Sequence, residues 1–413
     1  MNLAFYIARR LIRGGDHKIS ISAPIIKIAV VAIALGVIMM LVAIATGVGL
    51  KEKIREKVSV FNGHIQIYNF DNNQSDVSVV PVSLNQDFYP KFDGVEGISH
   101  VQAVATKAGI IRTADTFEGI IAKGVGPDYQ WSVFSEYLLE GRIPNYNEEL
   151  NDEVLISRLM ANRLQLGLGD TFFTFFLRDE DPGKMPNQRR FTVVGIYDSG
   201  FEEFDSTYVF ADIRHIRRMN RWEDDEVGNF EIFLENFDDI EVKSAEIYGK
   251  TLSTLDTQTI MGKYYKIFEW IGLFDFNIAI IIGIMIIVGG INMITALLVL
   301  ILERTQMIGV LKALGTDNWR IRKIFLYNAA YLIALGLFWG NLIGLGLIWV
   351  QDKYRWFKFP NPREYYIDYI PVSIDTPTVL ILNVGVLFLC LLMLLLPSVI
   401  VTRITPVKAI KFE

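Results

Sequence analysis

Cysteine is almost absent from this sequence. Cys390 is the only one among 413 residues, so no disulfide can form within the chain. The four histidines (His17, His64, His100 and His215) are scattered and have no H-E-x-x-H motif or cysteine partner, which argues against a zinc site. A folded domain of this chain must therefore be stabilised by its core.

Motifs for nucleotide binding and nucleophilic catalysis are also missing. A phosphate-binding loop needs G-x-x-x-x-G-K-[ST], because backbone amides cradle the phosphates while the lysine reaches them. Gly249, Lys250 and Thr251 resemble the end of that motif, but Ser244 occupies the first glycine position. No G-x-S-x-G is present for a serine nucleophile. We expect a chain that is not an enzyme and binds no cofactor of its own.

Strong charge is absent as well. The formal net charge of −6 argues against nucleic acid as a partner. The acidic residues at 223–226 lack the glycine and terminal glutamate of a calcium loop. The long apolar runs contain no charge relay of the kind that a proton-coupled carrier needs. A membrane protein of this composition needs an outside source of energy to do work.

Apolar residues are abundant, and they are gathered into long runs. These are residues 25–50, 276–302, 325–350 and 379–401, each longer than the roughly 20 residues that cross about 30 Å of hydrocarbon as a helix. The first run follows a basic stretch, as in a signal peptide, but it is too long and has no small-x-small cleavage site before Lys51. We predict four membrane-spanning helices, the first of them uncleaved.

Lysine and arginine in the short connecting segments predict the orientation. Residues 303–324 and the C-terminal residues are basic, and with four spans they share a side with the N-terminus. The positive-inside rule places that side in the cytoplasm. Lys51, Lys53, Arg55 and Lys57 follow the first span on the outer side, but long loops are translocated largely regardless of charge.

The spans divide the chain into segments. We predict an interfacial elbow helix in 1–24, spans at 25–50, 271–302, 325–350 and 379–401, a large periplasmic domain at 51–270, a cytoplasmic segment at 303–324, an outer loop at 351–378 and a cytoplasmic tail at 402–413. In 51–270, strands and helices interleave, which favours an α+β fold. The predicted fold is thus a four-span membrane protein with an extracytoplasmic α+β domain between its first two spans.

Within the periplasmic domain, alternating apolar residues and caps indicate the elements. Predicted strands are 64–70, 153–157, 172–177, 191–197, 206–212 and 230–235, with a hairpin at 109–125. Predicted helices are 51–60 continuing the first span, 131–138, a helix capped by Ser157, a helix capped by Asp212 and one after Asp238. A further helix is expected to run from about Gly262 into the second span.

The polar segment between the second and third spans reads as an amphipathic helix. Met307, Val310, Leu311 and Leu314 recur at i, i+3, i+4 and i+7 and predict one apolar face. Gly315 is the predicted stop, and Thr316 and Asp317 are predicted to cap the next helix. Such a helix either packs on its own protein or presents its apolar face to a partner.

Small and polar residues mark packing surfaces inside the spans. Gly336, Gly340 and Gly344 recur every fourth residue and predict a face that another helix approaches closely, within the subunit or between two. Asn292, Asn328, Asn341 and Asn383 are expected to form hydrogen bonds across helices.

Several of these segments resemble a known family. ERTQMIGVLKALG at 303–315 resembles the coupling segment of FtsX-like/MacB-like ABC transporter permeases. PSVIVTRITPVKAIKFE at 397–413 resembles that family's closing pattern, with Val401 in place of alanine and Ile410 in place of leucine. MNLAFYIARRLI, FNGHIQI and FTVVGIYDSGFEEFDSTYVF are most similar to the lipoprotein-releasing permeases of the LolC/LolE type.

The resemblance implies two contact sites. Residues 303–315 would dock on a separate cytoplasmic ATPase that binds ATP and magnesium. The assigned contact residues are Glu303, Arg304, Met307, Ile308, Val310, Leu311, Lys312, Leu314 and Gly315. Residues 178–190 resemble a hook that captures a periplasmic lipoprotein chaperone, through Pro182, Gly183, Lys184, Met185, Pro186, Gln188 and Arg189. On residue chemistry alone, an ordinary exposed hairpin tip is the favoured explanation of this segment, because proline and glycine are turn formers, and only the resemblance favours the hook.

The function implied by the resemblance is lipoprotein release. The chain would be a non-catalytic permease subunit that pairs with a second copy or a paralogue and with ATPase subunits. It would extract lipoproteins from the inner membrane and pass them to the chaperone by mechanotransmission. The alternatives are a macrolide or peptide efflux permease and a signalling scaffold that controls a cell-wall hydrolase.

Overall fold

The computed structural model describes residues 6–7, 22–113, 116–147, 149–176, 185–360, 367 and 369–403. The chain divides into two compact units. We call Met1–Glu52, Trp270–Lys358 and Tyr369–Glu413 the helical unit, and Lys53–Glu269 with Phe359–Asp368 the inserted domain. Most of the predicted elbow helix lies outside the described residues. Tyr6 and Ile7 within it are described, and both are helical.

From residue 22 onward, the described helices follow one another in chain order. They are α1 (Ser22–Asn62), α2 (Trp131–Phe134), α3 (Arg158–Leu164), α4 (Glu202–Asp205), α5 (Ile213–Asn220), α6 (Ile240–Lys250), α7 (Ile260–Lys263), α8 (Tyr265–Glu303), α9 (Thr305–Ala313), α10 (Asn318–Tyr354), α11 (Thr376–Ser398) and α12 (Ile400–Arg403). Short 3₁₀ turns lie at Phe70–Asn72, Ser135–Tyr137 and Phe237–Asp239.

The strands all belong to the inserted domain. They are β1 (Ile65–Asn69), β2 (Val82–Ser83), β3 (Ile98–Arg112), β4 (Phe117–Val125), β5 (Leu138–Gly141), β6 (Glu153–Ser157), β7 (Thr171–Phe176), β8 (Asn187–Tyr197), β9 (Tyr208–Asp212), β10 (Glu226–Val227), β11 (Asn229–Leu234) and β12 (Leu255–Thr259).

The fold class predicted from the sequence is confirmed. Among the described residues, four helical stretches are long and apolar enough to cross a membrane, namely Ile26–Asn62, Tyr265–Glu303, Asn318–Tyr354 and Thr376–Thr402. The predicted continuation of the first span is confirmed, because α1 is unbroken to Asn62. The helix expected from about Gly262 is interrupted, since Tyr264 leaves helical geometry between α7 and α8.

The glycine face of α10 lies against α1. A Cβ atom added to Gly336 would lie 2.6 Å from Ile33 Cγ2, and one added to Gly340 would lie 2.7 Å from Val37 Cβ. Gly344 meets Leu41 in the same way, at 2.9 Å. Because no larger residue fits at these contacts, the three glycines allow the two helices to approach closely within one subunit.

An amide pair joins α10 to α11. Asn341 donates from Nδ2 to Asn383 Oδ1 at 2.6 Å, and Asn383 Nδ2 donates back to Asn341 Oδ1 at 2.9 Å. The predicted cross-helix hydrogen bonds are therefore present for these two residues. Each amide satisfies the other in an apolar surrounding.

The inserted domain is built around a closed ring of strands. Six strands pair in the order β3-β4-β9-β6-β8-β7, and β7 returns to β3. From β3 the sheet continues through β11 and β1 to β12. The predicted hairpin at 109–125 is confirmed as β3 and β4, with Arg112 opposite Phe117, while Ala114 and Asp115 lie outside the described residues.

Side-chain caps set the starts of several helices, as predicted. Ser157 Oγ accepts from the Met160 amide at 3.0 Å and begins α3. Asp212 Oδ1 accepts from the Arg214 amide at 2.9 Å and begins α5. These bonds satisfy backbone donors that have no partner in the first turn of a helix.

Candidate functional site

The segment between α8 and α10 folds as a short helix, α9, and a residue with non-helical geometry lies at each end of it. Arg304 separates α8 from α9 with φ −100° and ψ 19°. Gly315 has φ +83°, a conformation that strongly favours glycine, and ends α9. Asp317 then caps α10 by accepting from the Trp319 amide at 3.0 Å, as predicted. The chain thereby turns directly from one long apolar helix to the next.

The four residues of the predicted apolar face of α9 differ in burial. Met307 and Leu311 are half-buried and pack against the core of the helical unit, whereas Val310 is 51% and Leu314 is 77% exposed. Ile308, which the pattern left out, is fully buried. Successive residues are about 100° apart around a helix, so burial of Ile308 turns the buried side away from Val310 and Leu314.

Two cations of this segment bind the end of the last span. Lys312 Nζ donates to the Thr402 carbonyl at 3.1 Å. Arg322 donates to Ser398 Oγ at 3.0 Å and to the Leu395 carbonyl at 3.1 Å. Partial burial lowers the pKa of the Lys312 ammonium. Because carbonyls at a helix C-terminus attract cations, these contacts fix α9 and α10 to α11 and α12.

An exposed apolar surface remains on the other side of this segment. Val310 and Leu314 lie one helical turn apart, and Trp319, which is 48% exposed, follows after the turn. Gln306 is exposed on the same side of α9. We call Val310, Leu314 and Trp319 the coupling surface, and Gln306 lies at its edge. The sequence pattern did not single out Trp319, although its place just after a helix cap could have drawn attention to it.

The remaining predicted contact residues are distributed around this surface. Glu303 and Gly315 are exposed, and Arg304 is half-buried. The arginine guanidinium of Arg322 lies 5.2 Å from the Trp319 ring, and Lys323 Nζ lies 5.6 Å from it. Cations over an aromatic face hold the ring in place. The surface is therefore apolar with a basic border.

The predicted hook is only partly described. Pro182, Gly183 and Lys184 lie outside the described residues. Met185 is 86% exposed and Pro186 is exposed. Gln188 and Arg189 belong to the start of β8, where Gln188 lies opposite Phe175 and Arg189 opposite Thr174 on β7. The segment is thus carried on two paired strands of the ring.

A row of aromatic and arginine residues crosses the sheet beside the hook. Phe117 on β4 lies opposite Arg112 on β3, which lies opposite Phe173 on β7, which lies opposite Arg190 on β8. Phe117 is 76% and Phe173 is 45% exposed, and both arginines are exposed. Aromatic residues and arginine are enriched in protein interfaces. Sequence reasoning missed this row because it depends on strand register.

The basic residues that follow the first span have partners in the folded chain. The pairs are Lys51 with Asp275 (2.8 Å), Lys53 with Glu136 (3.3 Å), Arg55 with Asp238 (2.9 Å) and Lys57 with the Ser199 carbonyl (2.8 Å). The first pair lies in the helical unit and the others in the inserted domain. These cations therefore have a structural explanation that does not depend on orientation in a membrane.

Family models match both parts of the chain. The model described as MacB-like periplasmic core domain matches residues 28–249, which is more than half of the chain. The model described as FtsX-like permease C-terminal matches residues 279–406.

Individual proteins are similar at low identity. The lipoprotein-releasing system transmembrane protein LolC of Neisseria meningitidis is 22% identical over 94% of this chain and 94% of its own length. The uncharacterized ABC transporter permease YknZ of Bacillus subtilis is 23% identical over 78% of this chain and 80% of its own length. A crystal structure of the extracellular domain of YknZ aligns with a TM-score of 0.32 and 16% identity, over 47% of this chain and 99% of that chain. The chain belongs to the family of ABC transporter permeases that combine a MacB-like periplasmic core domain with an FtsX-like C-terminal domain.

Proposed function

We propose that this chain is the permease subunit of a lipoprotein-releasing ABC transporter in a bacterial inner membrane. A separate cytoplasmic ATPase docks on the coupling surface, and a second permease copy or paralogue completes the assembly. The observation that carries the proposal is the exposure of Val310 and Leu314 on a short helix between two apolar helices. Exposed apolar residues in such a place are typical of a protein contact.

The choice of cargo rests on the relatives. Several that cover most of this chain are named lipoprotein-releasing system transmembrane proteins, including LolC of Neisseria meningitidis and LolE of Haemophilus influenzae. In this proposal the lipoprotein leaves the outer leaflet and passes to a soluble periplasmic chaperone. Met185, with the row of aromatic and arginine residues beside it, supplies the contact for that chaperone. A macrolide or peptide efflux permease and a scaffold that controls a wall hydrolase are the competing outcomes.

A charge placed on the coupling surface tests the docking role. In the complex purified with its ATPase and reconstituted in vesicles, Val310→Glu with Leu314→Glu is expected to lower substrate-dependent ATP hydrolysis at least tenfold. The two carboxylates would have to be desolvated against the partner. Gln306→Glu on the same helix is the control, since it adds a charge without removing an apolar contact. Equal hydrolysis by the double variant and the control would contradict docking at Val310 and Leu314.

The chaperone contact has its own test. Met185→Glu is expected to weaken capture of a soluble lipoprotein carrier by the detergent-solubilised complex at least tenfold, because a fully exposed apolar residue becomes charged. Val242→Glu is the control, because Val242 is also exposed, at 70%, on another element of the inserted domain. Unchanged capture by the Met185 variant would overturn the hook assignment and leave ATPase docking untouched.

A further inference from the structure

The end of α1 is inserted into the aromatic core of the inserted domain. Phe61 is fully buried, and its ring centroid lies 5.4 Å from Phe134, 5.8 Å from Tyr197, 5.1 Å from Phe204 and 5.9 Å from Phe210. Aromatic pairs at these distances add to the free energy of burial. The last turn of this long helix is therefore part of the domain core.

A buried ion pair holds the same turn by its backbone. Lys123 Nζ donates to the Phe61 carbonyl at 2.5 Å and to Glu231 Oε1 at 2.6 Å. Both side chains are nearly inaccessible, at 3% and 2%. Gln102 Nε2 donates to the second carboxylate oxygen, Oε2, at 2.8 Å. Lys123 therefore meets a helix C-terminus, which favours a cation, and a carboxylate that is itself satisfied.

The residue just before α8 is bonded to the end of α1. Tyr264 donates from its hydroxyl to Asn62 Oδ1 at 2.9 Å, and burial raises the pKa of this phenol well above its usual value, so it remains a donor. The neighbouring Lys263 forms an ion pair with Asp76 at 2.9 Å. We call Phe61, Asn62, Lys123, Glu231 and Tyr264 the stalk junction.

Stability alone does not explain a buried ion pair at this point. Removing two charges from water costs several kcal/mol for each ion, and well-packed apolar residues of similar volume are often as stabilising. What the pair adds is geometry, since directional hydrogen bonds hold the Phe61 carbonyl of α1 against Lys123 on β4, and Lys123 against Glu231 on β11. An apolar contact is non-directional and does not specify the position of a carbonyl in this way.

We propose that Lys123, Glu231 and Tyr264 are positioning residues that fix the ends of α1 and α8 to the sheet. A movement of either helix is then transmitted to the inserted domain instead of changing only the contact between the helix and the sheet. This inference rests on the proposed function, because it assumes that ATP hydrolysis by a partner drives the helices. It goes further by assigning the transfer of movement to named side chains of the stalk junction.

The test is hydrogen–deuterium exchange on the full complex with its ATPase, with and without ATP. In the wild-type complex, ATP is expected to change amide exchange in β3, β4 and β11 of the inserted domain. In Lys123→Met with Glu231→Leu, we expect the melting temperature and ATP hydrolysis to be retained, while the ATP-dependent change in these strands falls at least fivefold. A purely structural pair would alter the melting temperature and leave the response to ATP intact.

Two further variants keep the outcome decisive. Tyr264→Phe removes only the hydroxyl that reaches Asn62 and is expected to halve the ATP-dependent exchange, which covers the case in which the double variant fails to fold. Lys91→Met with Asp93→Leu removes an ion pair that is 83% and 77% exposed and is expected to keep the full response. The inference would be overturned if every folded junction variant kept the full ATP-dependent change in exchange. It would also be overturned if the exposed-pair control lost that change, or if the wild-type complex showed none. Failure of lipoprotein release with a normal exchange response would overturn only the proposed cargo.

Discussion

The coupling surface and the stalk junction, to which we assign a role in transmitting movement, differ in how far they are buried. At the coupling surface, Val310 and Leu314 are left exposed. At the stalk junction, Phe61 is fully buried, and Lys123 and Glu231 are almost so. In our proposal a partner covers the first surface, whereas the contacts of the stalk junction lie within the chain.

This difference separates two kinds of contact that look alike in sequence. Apolar residues at a transient contact must tolerate water when the partner is absent, so only a few are exposed and polar residues border them. A permanent contact within one chain does not have to tolerate water in this way, so it can bury charged groups, provided that each is paired. Removing the buried ring of Phe61 should therefore change stability, whereas charges at Val310 and Leu314 should change activity alone.

The largest expected effect on stability is at Phe61. Phe61→Ala removes a fully buried ring and should cost about 3–5 kcal/mol in the free energy of unfolding of the inserted domain. Phe70→Ala is the matched change at a ring that is 64% exposed and should stay within about 0.5 kcal/mol. Denaturant titration in detergent micelles measures both. Equal losses would mean that the end of α1 is not part of the core.

A pH-dependent effect of similar size is expected from His64, just after the junction. Its Nδ1 accepts from the Leu234 amide at 2.8 Å, and burial lowers the pKa of the ring to about 4. Below pH 6.5 the unfolded chain binds a proton that the folded chain does not, so stability falls as the pH drops from 6.5 to 4. The full loss is roughly 3 kcal/mol.

His64→Gln isolates this contribution. Glutamine keeps an acceptor for the Leu234 amide and does not titrate, so the variant should lose most of the pH dependence that His64 supplies. Denaturant titrations at a series of pH values between 4 and 7 measure the difference. The same slope in both proteins would show that His64 is not held in its neutral form.

A smaller effect is expected where α10 meets α1. Gly340→Ala would place a Cβ 2.7 Å from Val37 and 3.0 Å from the Ala34 carbonyl, and should cost about 1–3 kcal/mol. Gly346→Ala on the same helix meets nothing within 4 Å and should be neutral or stabilising by up to about 1 kcal/mol. Melting temperatures in micelles distinguish the two. Equal shifts would argue against close approach of these helices.

Local chemistry accounts for what the sequence predicted well. Long apolar runs located the spans, and Ser157, Asp212 and Asp317 located three helix starts, because a cap depends only on the residues next to it. The strand β12 was missed because it is polar, with only Leu255 buried, and is held by pairing with β1. The short pair of β2 and β10 was missed for the same reason.

Features that depend on distant partners could not be predicted. Ile308 is fully buried in the core of the helical unit, and the periodicity of α9 does not indicate which part of its apolar face is covered. Lys123 looks like an ordinary polar position on a strand, and its partner Glu231 is remote in sequence. Strand register and the orientation of a helix about its own axis determine such contacts, and a local sequence pattern specifies neither of them.

The most direct test of the central claim is release itself. The wild-type complex with its ATPase, in vesicles loaded with a triacylated lipoprotein, should transfer that lipoprotein to a soluble carrier when ATP is added. Val310→Glu with Leu314→Glu should abolish the transfer, while Gln306→Glu should preserve it. The account would be contradicted if the wild-type complex hydrolysed ATP without transferring the lipoprotein and instead exported a macrolide or peptide or activated a wall hydrolase.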